Sequence, residues 1–132
     1  MIGIDTNVLV RYLTSDDEIQ SNKAAKLINQ YIGQAGSIFI NNIVACELIW
    51  VLERGYKYDK SHITTVLKEI VATSEFQFED HKILWLSIVE YEKSNVDFAD
   101  ILIGNINALK GCSKSFTFDS KASALLVFDI VE

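Results

Sequence analysis

Residues 37–55 read SIFINNIVACELIWVLERG. SIFINN reads as a strand, and the residues after it read as a helix up to Gly55. From Ile43 to Leu52 every residue but Glu47 is apolar. On a helix, Ile43, Glu47, Trp50 and Val51 share one face, because residues three and four apart stack above one another. That phase puts a carboxylate on the stripe expected to meet the core. An ionised carboxylate taken out of water without a partner costs several kcal/mol, so a compensating group is expected elsewhere in the chain.

Outward from this unit the same alternation repeats. IGI (Ile2–Ile4) predicts a short strand and TNVLVRYLT a first helix. DDEIQSNKAAKLINQYIG opens on acids and places Ile19, Ala24, Leu27, Ile28, Tyr31 and Ile32 at helical spacing before Gly33. DKSHITTVLKEIVATS is a helix with Ile63, Val66, Leu67 and Ile70 on one face, and EFQFED alternates as a strand. HKILWLSIVEYEKSN is helical, with Ile83, Leu86, Ile88 and Val89 expected to pack; a further helix runs from about Phe98 to Lys110. SFTF and LLVFDIV supply two last strands. The order βααβααβααβ(α)β implies an α/β fold with a parallel sheet covered on both faces.

The 132 residues suit a single domain spanning 1–132, and no linker, repeat or low-complexity tract marks a boundary. A hydrophobic content of 49% with 23% charged residues is that of a folded globular chain. The longest apolar runs are five residues, Leu48–Leu52 and Ala124–Phe128, far below the roughly 20 needed to span a bilayer. The opening MIGIDTNVLV lacks the pattern of a cleaved leader, so a cytoplasmic protein is expected, with Cys46 and Cys112 as reduced structural thiols. A net charge of −6 argues against a broad basic surface for nucleic acid, though not against a nuclease whose site holds cations.

Open parallel sheets bind ligands beyond the carboxyl ends of their strands. Asp5 follows the first strand directly and Asp119 the fourth; Asp97 and Asp100 open the helix at Phe98, and Glu47 lies about a turn into the helix after SIFINN. Such oxygen donors without histidine suit a hard divalent cation, Mg²⁺ or Mn²⁺. Without one, convergent carboxylates would repel by about 4 kcal/mol per close pair at an effective dielectric near 20. Each acid also has a structural role open to it. Asp97 suits a helix cap with Asp100 in the first turn, Asp5 suits the cap of the helix at Thr6, and Asp119 the cap of SKASA. Asn7 and Thr117, two residues from Asp5 and Asp119, are placed to hydrogen-bond a carboxylate or a phosphate. His62 and His81 read as surface residues, Trp50 and Trp85 as core.

Four segments, IDTNVLVRYL, ACELIWVL, VDFADILIG and TFDSKAS, in this order along the whole chain, resemble the PIN-domain ribonucleases, most closely the toxin half of VapBC toxin–antitoxin pairs. The resemblance implies a three-layer α/β/α fold around a five-stranded parallel sheet of order 3-2-1-4-5. It implies metal-binding catalytic acids at Asp5, Glu47, Asp100 and Asp119, with Asn7, Asp97 and Thr117 auxiliary. It further implies Mg²⁺- or Mn²⁺-dependent hydrolysis of RNA by a metal-activated water, leaving 5′-phosphate and 3′-hydroxyl ends. A tRNA or rRNA substrate, a homodimer, and inhibition by a cognate antitoxin lying across the site belong to the same expectation. Arg11, Lys114 and Lys121 are candidate cations for RNA. A dehalogenase-like phosphatase is the enzymatic alternative, but it needs an acid where Asn7 stands; a PIN scaffold that only binds a protein partner is the non-catalytic one.

Overall fold

A computed structural model describes residues 1–132. The elements follow the predicted order: β1 (Ile2–Gly3), α1 (Thr6–Leu13), α2 (Glu18–Asn29), β2 (Ile38–Ile40), α3 (Asn42–Arg54), α4 (Lys60–Ala72), β3 (Phe76–Phe78), α5 (His81–Lys93), α6 (Phe98–Leu109), β4 (Ser115–Thr117) and β5 (Phe128–Ile130), with a 3₁₀ turn at Ala122–Ala124 before β5. No helix is long and apolar enough to cross a membrane. The chain forms two compact units, Met1–His81 and Lys82–Glu132.

In the first unit β1, β2 and β3 pair in parallel, with β2 in the middle; Ile2 lies opposite Ile38, and Ile38 opposite Phe76. Ile38 and Ile40 are fully buried, as the two-residue period of a central strand requires. Leu9 of α1, Leu48 and Leu52 of α3 and Ile63 of α4 complete this core. Asp17, Asn41 and Asp59 cap α2, α3 and α4 by accepting from the amides of Gln20, Val44 and His62.

The second unit pairs β4 with β5, also in parallel. Ile88, Phe98, Ile101 and Leu102 are buried between its helices, and Tyr91 meets the Phe98 ring edge-on, with centroids 5.7 Å apart. Buried Ser87 donates to the Ile83 carbonyl and accepts from Asn105, while Asn107 donates to the hydroxyl of Ser115. These two bonds from α6 tie it to α5 and to β4. Gly111, at φ +100°, takes the left-handed conformation that closes α6, and the Cys112 amide reaches back to the Asn107 carbonyl.

The strands form two ladders, β3-β2-β1 in the first unit and β4-β5 in the second. β1 is only two residues long, and the amides of Ile2 and Ile4 both donate toward β2. Two expectations need correction. First, the buried face of α3 is Val44, Ala45, Leu48, Ile49 and Leu52, so Ile43, Glu47 and Trp50 look outward. With apolar residues on nearly every side of that helix, periodicity could not fix its phase. Secondly, Trp50 is 55% and Trp85 40% exposed, and Ile19, Ile32 and Leu86 also lie outside the core. Arg54 covers the Trp50 ring at 5.0 Å, a cation–π contact that an outward tryptophan can make. His62 and His81 are exposed as expected.

Gly104 of α6 lies against β5. A Cβ there would stand 2.6 Å from Cε2 of Phe128 and 2.7 Å from Cγ2 of Val127. Alanine would bring better helix propensity, about 1 kcal/mol, against an overpacking cost of about 1–3 kcal/mol. Gly104→Ala is expected to lower the melting temperature by several degrees in a calorimetric scan; a melting temperature at or above the parent's would show that the Phe128 ring yields freely.

Candidate active site

β1 leads straight into α1 through Asp5, whose backbone is extended at φ −79° and ψ 161°. Its Oδ1 accepts from the Thr6 amide at 2.7 Å, the capping bond anticipated for this residue. The hydroxyl of the same Thr6 donates to Oε1 of Glu47 at 2.7 Å, across 41 positions of sequence. The first unit therefore brings Asp5 and Glu47 together through one residue. Glu47 itself is exposed, so water and Thr6 supply the compensation that its place in the helix called for. Beside it, the Cys46 thiol is pushed up in pKa, first by burial and then by the Glu47 charge, and so stays protonated and unreactive.

Asn7 faces elsewhere. With Val8 and Arg11 it lines a cavity of about 300 Å³ whose other wall is Gln20, Lys23, Ala24 and Leu27 of α2. At the mouth of the α1–α2 hairpin, Arg11 pairs with Asp16 at 3.1 Å, and Tyr56 donates to the other oxygen of Asp16 at 2.8 Å. The Tyr56 bond is the largest influence holding the Asp16 carboxyl below its usual range. Arg11 is thus committed to an acid, as is Lys114, which pairs with Asp129 at 3.5 Å; Lys121 is exposed.

In the second unit Asp97 occupies the cap position of α6, but its side chain makes no capping bond. One turn on, Asp100 is partly buried. Its carboxyl is pushed up in pKa by that burial first, then by the charges of Asp119 and Asp97. Asp119 stands just beyond β4 and does cap: its Oδ1 accepts from the amides of Lys121 at 2.8 Å and Ala122 at 3.3 Å. Thr117 accepts from the Asp119 amide at 3.0 Å, so it steadies the backbone of that acid and does not bond its carboxylate.

Sequence reasoning overlooked Thr6. The one local sign is a short hydroxyl side chain directly after a junction acid; its partner Glu47 lies 41 positions away. The assembled donors are all oxygens, in type those a hard divalent cation takes. No three His, Cys, Asp or Glu side chains stand close enough to hold an ion as one group. What the structure shows is Asp5 with Glu47 about Thr6, and Asp100 under the influence of Asp119 and Asp97.

Residues 2–125 match the PIN domain family. Over 103 residues the chain is 29% identical to a protein described as a VapC ribonuclease from Aquifex aeolicus (strain VF5), a match covering 75% of this chain and 73% of that relative.

Asp100 offers a test by pH. Its pKa is raised on folding above the ordinary 3.8, so the folded state binds this proton more tightly than the unfolded chain does. Ionised Asp100 therefore costs stability above the raised pKa and costs nothing well below 3.8. Asp100→Asn is expected to raise the melting temperature at pH 7 in metal-free buffer. Solvent screening keeps the effect to about 1 kcal/mol at most, or about 4 °C. The gain should fade as the pH falls through the carboxylate range; a melting temperature lowered at pH 7 would contradict the charge geometry.

Proposed function

Because its match over residues 2–125 makes this chain a member of the PIN-domain family, we propose that it is a metal-dependent endoribonuclease, the toxin of a type II toxin–antitoxin pair. The observation that supports this reading best is the Thr6 bridge, in which one residue donates to two of the four expected acids, Asp5 and Glu47. The likeness to a protein named a VapC ribonuclease supports it. In this reading the chain works as one domain over residues 1–132 in the cytoplasm, as a homodimer, and is silenced by a cognate antitoxin. The outward Ile43 and Trp50, 70% and 55% exposed beside Glu47, support a protein partner covering that face.

Asp5 and Glu47 of the first unit, and Asp100 and Asp119 of the second, are the ligands proposed for Mg²⁺ or Mn²⁺, with Asp97 adding negative charge near Asp100. Held there, such an ion would supply a water of lowered pKa and would offset charge on the phosphodiester. The protein's own tasks are simpler. Thr6 holds Asp5 and Glu47 in place, the amides of Lys121 and Ala122 hold Asp119, and Thr117 fixes the strand end from which Asp119 projects. The substrate is RNA, of which a tRNA or rRNA loop is the expected kind, recognised by shape.

Asp5→Asn isolates the chemistry, because asparagine caps a helix as well as aspartate does. Cleavage of total RNA should fall by more than the roughly 10- to 100-fold that losing an outer-shell partner costs, and EDTA should abolish cleavage by the parent. Cutting at the parental rate by the Asn variant would refute the assignment. Independently, Mn²⁺ at a hundred times its dissociation constant should stabilise the native protein by about 2.7 kcal/mol; an unmoved melting temperature in millimolar Mn²⁺ would count against the site.

A further inference from the structure

We infer that Thr6 is a positioning residue for the proposed metal site, acting through both Asp5 and Glu47; this inference rests on the ribonuclease reading. Two groups of one residue do the work. The backbone amide holds Oδ1 of Asp5 at 2.7 Å, and the side-chain hydroxyl holds Oε1 of Glu47 at 2.7 Å. Thr6 is only 6% exposed, so its hydroxyl needs a partner inside the fold.

Elsewhere in this chain, hydroxyls on or just after helices return to the carbonyl four residues back: Thr14 to Val10, Thr65 to Ser61 and Ser87 to Ile83. Thr6 is the first residue of α1 and has no turn beneath it to offer that carbonyl. Its branched side chain, restricted in χ1, directs the hydroxyl out of its own helix to α3 instead. A hydroxyl has one proton, and donating it to Oε1 fixes one oxygen of Glu47 while leaving Oε2 for a ligand. Exposed Glu47 could have been solvated by water alone. The bond therefore orients the carboxylate more than it rescues it. This is the role outer-shell donors play for metal-binding carboxylates, with a loss of roughly 10- to 100-fold in affinity when they are removed.

Thr6→Val keeps the shape and removes the donor; Thr6→Ser keeps the donor. Free Mn²⁺, followed by its electron paramagnetic resonance signal during titration, reports binding without any turnover. Circular dichroism checks that each variant is folded. Thr6→Val should weaken Mn²⁺ binding about tenfold, with Thr6→Ser restoring it to within about twofold of the parent. In a Glu47→Gln background, Thr6→Val should add little, since residues acting through one another are not additive. Parental Mn²⁺ affinity in folded Thr6→Val, or full additivity with Glu47→Gln, would overturn the inference while leaving the ribonuclease reading standing. A parent protein that neither binds Mn²⁺ nor cuts RNA would overturn both.

Discussion

Parallel strands cannot be joined by a hairpin, and that constraint organises this chain. Each return to β2 and β3 must cross over, and each crossing is made by two helices. The carboxyl ends of paired parallel strands therefore lie along one edge, about 4.8 Å apart, with a helix beginning at or just beyond each. β1 pairs with β2, so the start of α1 and the start of α3 are neighbours although some forty residues separate them. Any short donor at the first position of α1 then lies within reach of an acid about one turn into α3. Thr6 and Glu47 meet this condition. In the second unit the same constraint puts Asp119 at the end of β4.

Placing carboxylates together is costly: two of them 4 Å apart repel by about 4 kcal/mol at an effective dielectric near 20. The acids differ in how they meet that cost. Asp5, Glu47 and Asp119 each accept from at least one N–H or O–H group. Such bonds hold the oxygens in fixed directions. Asp100 has burial, Asp119 and Asp97 all disfavouring its charge, with no donor among the influences upon it. A cation beside it would oppose all three effects at once, since its charge outweighs any other in its neighbourhood. The acid with least support from the protein gains most from an ion.

The order and type of every element could be read from periodicity and junction residues, as could the junction acids. Strands of two or three residues set the limit on topology. The phase of α3 failed for the opposite reason, an excess of apolar residues. Ala45, Leu48, Ile49 and Leu52 make as good a stripe as Ile43, Trp50 and Val51, and only tertiary packing chose between them. Trp50 was expected inside because of its size and neighbours, yet its indole lies under Arg54 on the outer face. Among the candidate site residues, positions at a strand end were legible. Thr6 was not, because its role is a contact made across 41 positions. Thr117 was placed beside Asp119 correctly, but its partner is a backbone amide, which a sequence does not display.

The exposure of Glu47 changes the thermodynamic relation between fold and ion. A buried, unpartnered carboxylate would make the ion a condition of folding, as in small zinc domains that unfold without metal. An exposed carboxylate already held by Thr6 makes no such demand. The first unit keeps its own core of Leu9, Ile38, Ile40, Leu48, Leu52 and Ile63, none of which carries a charge. In the proposed site, metal binding free energy would therefore have little folding to drive. It would be available to fix the ion and, through the ion, a phosphate. Preorganisation of this kind lowers the cost of ordering on binding, which is the usual way a rigid site gains affinity without new contacts. Thr6, buried and directed by its place at the start of α1, supplies that order before any ligand arrives.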